Sequence, residues 1–284
     1  LAQRDEDLLV FGENTFLVFG PPGTGKTTFI KRQVERWVEE YGSDAIVVAS
    51  FTRAAAVEIA SRDLPLARPR EQIGTLHSLA FRALSPGRDR IAESRVRDFN
   101  DAHPAFRLSG EGAFDPDEPT LERETATEGD RLMRAMDVLR ARMVPRVAWP
   151  GSVLALAAAW EGWKADASLL DFTDLLEVAL ADVSTAPGDP AVAAIDEAQD
   201  LTPLELALVR RWGERMERLV LSGDDDQVLY GFRGATPDSL PRCRVGRDIR
   251  GCARGRGGGC DGSSECEYGD SLCGVHGECG LHGE

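Results

Sequence analysis

FLVFGPPGTGKTTFIKRQVERWVEEYG, residues 16–42, sets the fold of this chain. It opens with an apolar run that ends in a glycine. It closes with Phe29, Ile30, Val34, Trp37 and Val38 at helical spacing, followed by Gly42, a residue suited to ending a helix. The order is strand, glycine-rich loop, helix. The loop, Gly20, Pro21, Pro22, Gly23, Thr24, Gly25, Lys26 and Thr27, matches the P-loop pattern G-x-x-x-x-G-K-[ST], with Thr28 directly after it. Each residue type has a reason to be there. Loop N–H groups and the helix N-terminus surround a phosphate, Lys26 reaches the β and γ oxygens, and the Thr27 hydroxyl ligates magnesium. The bland alternative is a chance glycine-rich turn, which has no need of the flanking strand and helix.

Outward from this segment the same rhythm continues. AIVVASF (45–51) has the pattern of a buried strand and precedes a helical AAAVEIASR (54–62). AVAAID (191–196) and RLVLSGD (218–224) are two more apolar runs ending in acids, with the helical PLELALVRRWGERM (203–216) between them. Strands alternating with helices predict an α/β fold, a parallel sheet with helices on both faces. The stretch 85–167 departs from it, first rich in charge, Pro and Gly, then helical in RLMRAMDVLRARM (131–143) and SVLALAAAWEGWKADA (152–167). It reads as a mostly helical insertion, which assigns 1–84 and 168–241 to the sheet domain. Beyond Pro241 the composition turns to Gly, Arg and Cys, and 242–284 reads as a tail.

Bulk composition sets few limits. The 284 residues are 42% hydrophobic and 29% charged, as in ordinary globular proteins, and allow one large domain or two smaller ones. No run of about 18 apolar residues occurs, and LAQRDEDLL at the start is too acidic for a signal peptide. The expectation is a cytoplasmic protein with no membrane partner, whose first residue, Leu1, suggests an incomplete or trimmed N-terminus. A net charge of -15 does not advertise a nucleic-acid binder, yet a positive groove can exist on an acidic protein. All six cysteines lie between Cys243 and Cys279, and a cysteine-free body fits a reducing compartment.

A P-loop needs an acid at the end of another strand. Asp196 and Glu197, directly after the apolar AVAAI, supply two. Asp196 would bind Mg²⁺, directly or through water, and Glu197 would orient and deprotonate the attacking water. Acids after a strand also serve merely as dipole partners of the next helix. Next to a P-loop the catalytic reading is favoured, and an adjacent Asp-Glu pair points to hydrolysis of a nucleoside triphosphate.

GPPGTGKT (20–27), SFTRAAAVEIASR (50–62), GTLHSLAFRAL (74–84), DFTDLL (171–176), IDEAQDLTPLE (195–205) and GDDDQVLYGFRGA (223–235) resemble, in order, the N-terminal motifs of superfamily 1 DNA helicases of the UvrD/Rep/PcrA type. The resemblance covers residues 16 to about 240. It implies a RecA-like ATP-binding motor domain of the 1A kind, a 1B-like helical insertion, ATP and Mg²⁺ as cofactors, and single-stranded DNA or a single-to-double-strand junction as partner. Lys26, Thr27, Asp196 and Glu197 then take the ATPase roles, and Gln227 senses the γ-phosphate. Phe51, with Thr52 beside it, matches the aromatic bordering a base pocket, although a core Phe at a strand end reads the same way. Thr75 and His77 match a T-x-H motif near the DNA backbone, where an isolated His is more often structural. Tyr230 and Phe232 match the aromatics of the third motif, Phe standing where Trp is usual, and Arg233 faces DNA or its coupling acids. Gln199 and Asp200 complete DEAQD, which in the family links nucleotide state to the DNA side. Stacking aromatics beside a phosphate sensor also suit a machine that grips single strands without reading sequence.

Departures from the pattern are equally specific. Gln3 is the single candidate for the family's adenine-reading glutamine, without the usual residues around it. Nothing after Pro241 resembles a second motor domain, so the expectation is a chain without unwinding activity by itself, completed by a second motor domain or a protein partner. The tail admits three readings: a zinc site from Cys273, His276, Cys279 and His282, a natural disordered tail, or a break in the reading frame. Two other functions compete with the helicase motor: a nucleotide-dependent DNA-binding module in a larger repair or nuclease complex, and a P-loop kinase or other NTPase without DNA.

Overall fold

The computed structural model describes residues 14–20, 25–109 and 127–224, and the backbone of Cys273–Gly274. Five parallel strands form the sheet: β1 (Thr15–Phe19), β2 (Ile46–Ser50), β3 (Ile73–Gly74), β4 (Val192–Asp196) and β5 (Arg218–Gly223), in the spatial order β3-β2-β4-β5-β1. A two-residue strand, β6 (Cys273–Gly274), pairs antiparallel with β1 at the outer edge. The α/β expectation holds, and the four long strands fall within a residue or two of the apolar runs that predicted them. The short edge strand β3 runs into the first residue of the GTLHS segment and is too brief to show any periodicity of its own.

Successive strand residues point to opposite faces, so the sheet divides its own side chains between two cores. On one face Leu17, Val47, Ala49, Ala193, Ile195, Leu219 and Leu221 pack against α4 (Leu76–Leu84), α8 (Phe172–Asp182) and α9 (Pro203–Gly213). On the other face Val18, Ile46, Val48, Val192, Ala194 and Val220 meet α1 (Lys26–Tyr41) and α2 (Arg53–Ala60). Helix α1 presents Ile30, Val34 and Trp37, spaced by four and three residues and each at most 2% exposed, to that face. Burying side chains of this size stabilises the fold by about 1.5–3 kcal/mol each. Gly42, at φ 92°, donates its N–H to the Val38 carbonyl at 3.0 Å and stops the helix there.

A third core is wholly helical. It lies between α5 (Val96–Ala102), α6 (Glu128–Ala141) and α7 (Gly151–Ala167) and is built on Phe99, Met133, Met136, Leu156 and Trp160. Phe99 meets Trp160 edge-on, with centroids 4.9 Å apart at 79°. The third short helix of the sheet domain, α3 (Pro69–Gln72), leads into β3. Among the described residues no helix is long and apolar enough to cross a membrane.

Candidate functional site

In a parallel sheet the carboxyl ends of the strands share one edge, where ligands bind in α/β proteins. Here that edge carries Gly20 after β1, Ser50 at the end of β2, Asp196 at the end of β4, and Ser222 and Gly223 at the end of β5. Gly20 is held to β5 by its N–H, which donates to the Gly223 carbonyl at 3.1 Å. Gly25 then takes φ 89°, a left-handed conformation that suits glycine, and starts α1. Lys26 is 8% exposed and its Nζ donates to the Gly20 carbonyl at 2.5 Å, so the ammonium folds back over the mouth of the loop. Thr27 is half-buried and Thr28 exposed on the first turn of the helix. Pro21, Pro22, Gly23 and Thr24 lie outside the described residues.

Asp196 is 4% exposed. Burial raises its pKa above the usual carboxylate range, and neighbouring Glu197 pushes it the same way. The Glu197 N–H, the Ser222 hydroxyl and the Lys26 ammonium oppose the rise. Lys26 and Asp196, 170 positions apart in the sequence, are thus brought together as the P-loop reading requires. Ser50 pairs in register with Asp196, and Ser222 sits one residue past Leu221, the partner of Ile195, so hydroxyls flank the acid on both neighbouring strands. Ser50 and Ser222 are 1% and 0% exposed, and neither hydroxyl makes a hydrogen bond of normal geometry among the described residues. Neither serine was singled out by its sequence context, because a small polar residue at a strand end looks like part of the turn.

Glu197 follows with φ 54°, a left-handed conformation costly for a residue with a side chain. It points the carboxylate to Gln199, whose Nε2 donates to Glu197 Oε2 at 2.8 Å and to Asp200 Oδ2 at 3.2 Å. The other end of the same amide accepts the Asp224 N–H at 3.0 Å. One buried glutamine therefore ties the candidate hydrolytic acid to the first acidic residue of GDDDQVLYGFRGA. Gly223 is bare at the point of closest approach: a Cβ there would lie 2.5 Å from the Gln199 Oε1. Gln227, Tyr230, Phe232 and Arg233, further along that segment, lie outside the described residues, as do Gln3, Cys273, His276, Cys279 and His282 as ligand candidates.

The remaining sequence candidates cap the helices that follow β2 and β3 or lie inside the core. Phe51 is 4% exposed and packs in the first sheet core, the core position named above as its other reading. Thr52 and Thr75 are helix caps, accepting the N–H of Ala55 at 3.1 Å and of Ser78 at 3.2 Å. His77 is 9% exposed, with Nδ1 3.8 Å from Glu205 Oε1. Glu205 in turn completes the capping box of α9, accepting the Thr202 N–H at 2.8 Å. His77 thus connects the T-x-H segment to the helix that follows DEAQD. Among the described residues no group of three His, Cys, Asp or Glu could hold a metal. The residues present fit a cation bound by one hydroxyl, one acid and the oxygens of a bound phosphate.

DFTDLL holds a feature that no motif predicted. Asp171 and Asp174 cap α8 reciprocally and also receive two buried cations from the helical unit. Arg140 donates to both oxygens of Asp171 at 3.0 and 2.8 Å, to Asp174 at 2.6 Å and to Glu177 at 2.7 and 3.1 Å. Lys164 donates to Asp171 at 2.5 Å and to Asp174, and the Trp160 indole N–H donates to Asp171 at 2.8 Å. These cations hold the Asp171 carboxyl well below the usual range against the cost of its burial.

A family model described as "AAA domain" matches residues 8–233. The chain is 27% identical to ATP-dependent DNA helicase UvrD2 of Mycobacterium tuberculosis, over 84% of this chain and 38% of that protein. It is 25% identical to ATP-dependent DNA helicase PcrA of Staphylococcus epidermidis, over 78% of this chain and 33% of the relative. PcrA of Leuconostoc citreum is 23% identical over 80% and 33%. The chain spans little more than a third of the length of these curated relatives.

Proposed function

This chain belongs to that AAA domain family and is similar to the N-terminal part of UvrD- and PcrA-type helicases, and from this premise we propose that it is the ATP-binding motor domain of a DNA helicase or translocase. Residues 1–84 and 168–241 form the RecA-like 1A domain in this reading, and 85–167 the 1B-like insertion. The P-loop from Gly20 to Thr28 holds the triphosphate of ATP, with Lys26 on its β and γ oxygens. Thr27 and Asp196 hold Mg²⁺, which when bound neutralises charge on those oxygens. Glu197 orients the attacking water and takes its proton. Burial and Glu197 raise the Asp196 pKa, and a cation bound beside it would favour the ionised form that holds Mg²⁺.

The observation that carries the motor reading is the Gln199 amide, which joins Glu197 to the Asp224 backbone. A change at the hydrolytic acid is transmitted through one side chain to the segment bearing Gln227, Tyr230, Phe232 and Arg233. Those residues, with Thr52, Thr75 and His77, are assigned to single-stranded DNA; Phe51 is assigned to support the loop from beneath, given its burial. Strand separation is not assigned to this chain alone, because it spans little more than a third of its relatives.

The test is ATP hydrolysis by the 284-residue chain with and without single-stranded DNA. Stimulation that is lost when Tyr230 and Phe232 are replaced by Ala supports the proposal. Hydrolysis indifferent to DNA and to both substitutions would assign the chain to the NTPases that do not act on DNA.

A further inference from the structure

A cleft of about 810 Å³ opens outside β3, at the edge of the sheet away from the P-loop. Arg53, Arg68, Arg70 and Arg82 line it together with the hydroxyl residues Thr75 and Ser78, and Glu71 is its one carboxylate. On a chain of net charge -15, four guanidiniums against one acid is a local reversal of sign.

The cleft is built rather than a chance meeting of mobile side chains. Arg82 lies half-buried along β3, donating to the Glu71 carbonyl at 2.8 Å and the Ile73 carbonyl at 3.4 Å. Those carbonyls take two of the five donor hydrogens of a guanidinium. Gly74 makes the arrangement possible, because a Cβ there would press on the Arg82 guanidinium and the Ser78 hydroxyl. Arg68 pairs with Asp44 at 3.1 Å and Glu71 at 3.4 Å, all more than half exposed, so water screens both pairs and a phosphate can replace either. Arg70 stands exposed on α3. The floor is apolar, from Ala56, Ala60 and the 63% exposed Val57. At its upper end the cleft runs into Arg53 and Thr75, which begin the two helices that follow β2 and β3.

We propose that this arginine-walled cleft is a further phosphate-backbone site, holding nucleotides of a single strand that continue past the loops assigned to DNA above. The inference rests on the motor reading. Four planar cations over an apolar floor suit a chain of phosphates carrying sequence-independent bases. Arg68 and Arg70 contribute charge and Arg82 a fixed fork.

The experiment uses the full chain and fluorescence anisotropy with oligothymidylates, one just long enough to cover the loops and one several nucleotides longer, across a salt series. The expected result for Arg68→Glu with Arg70→Glu is at least a tenfold loss of affinity for the long oligonucleotide alone. The salt slope for that oligonucleotide should also fall by about 1.4, as two phosphate contacts on a single strand predict. Arg82→Gln tests the fixed fork, with thermal melting to establish that the variant is folded. Equal weakening for both lengths, or no change for either, overturns the cleft while leaving the motor reading intact. Failure of the wild-type chain to bind any oligonucleotide overturns both. Competition by polyglutamate but not by the longer DNA would instead assign the cleft to an acidic protein.

Discussion

Two charged regions, the carboxyl edge of the sheet and the junction of α8 with the helical unit, are built on opposite principles. At the carboxyl edge of the sheet Asp196 is buried with its pKa raised, Glu197 sits at positive φ, and the Ser50 and Ser222 hydroxyls are buried without a normal hydrogen bond among the described residues. Under the helical unit Asp171 is equally buried, yet Arg140, Lys164, Trp160 and the cap of α8 satisfy it and its pKa is held down. The first region keeps buried hydroxyls without such bonds at the sheet edge where ligands bind in α/β proteins. The second satisfies Asp171 and Asp174 from within, and the Glu93 Oε2 beside them is its one buried side-chain oxygen without a hydrogen bond among the described residues. Unsatisfied buried groups cost stability and mark places where function is bought with it; closed networks fix geometry.

The sharpest way to break this contrast is to open the closed network. Arg140→Met removes a guanidinium that contacts three carboxylates and leaves Asp171 buried with Lys164 as its remaining cation. Losing one partner of a buried ion pair costs about 3–5 kcal/mol. A loss of that size in urea unfolding is expected. If the chain instead unfolds at the wild-type denaturant midpoint, the cluster does not hold the helical unit on α8.

At the open region the same kind of change should spare the fold and remove the chemistry. Lys26→Ala deletes one hydrogen bond, to Gly20, and is expected to leave the melting temperature within a few degrees of wild type. Hydrolysis should fall by about 10²–10³-fold, the usual loss when one pre-organised group that stabilises developing charge is removed. Loss of folding in parallel with activity would mean that the lysine is structural after all.

How much of each region could be read from the sequence follows from how local its signals are. The P-loop, its strand and its helix are contiguous, so spacing alone revealed them, and Asp196 was recognisable because an apolar strand leads straight into it. The clamp was not legible: Arg140 and Asp171 stand 31 positions apart, and an arginine on a charged helix looks solvated until the fold brings it to α8. Phe51 and His77 show the limit of a motif. The pattern names the position, but whether the ring faces a ligand or a core depends on what other segments bring to it, the first sheet core for Phe51 and Glu205 for His77. Ser50 and Ser222 became visible through strand register, information that exists only once β2, β4 and β5 are aligned.

Within the open region Gln199 joins two segments, and Gln199→Ala measures how far the site depends on that link. The substitution removes the half-buried donor to Glu197 and the buried acceptor of the Asp224 N–H. A hydrogen bond to a charged partner contributes about 1.5–3 kcal/mol, which sets the expected fall in DNA-stimulated hydrolysis at about 10- to 100-fold. Hydrolysis without DNA should fall less. Equal losses in both assays would make Gln199 a support of the acid alone, with no part in coupling.

The smallest effect sharpens the comparison from within the closed network, through Asp137, which like Glu93 is pushed by burial and the Asp171 charge toward its protonated form. Asp137 lies in the field of Asp171, the Arg140 and Lys164 charges offset its burial only in part, and the Thr173 hydroxyl is its 3.5 Å contact. Burial and the Asp171 charge push its pKa up to about 7. An unfolded aspartate titrates near ~3.9, so between those values the native state binds a proton that the unfolded state has lost. The contribution of this group is therefore fully present below about pH 4 and is lost as pH rises through 7. Asp171, with its depressed pKa, works in the other direction at the acid end. Asp137→Asn keeps the shape and removes the titration, so the difference between variant and wild type isolates this one group. The variant should be more stable than wild type by about 1 kcal/mol at pH 8, after discounting for the partial exposure of the residue. The advantage should shrink steadily toward pH 4. A stability difference that does not change with pH would mean that the Asp137 charge is already compensated at neutral pH, and the network would then be closed at this acid too.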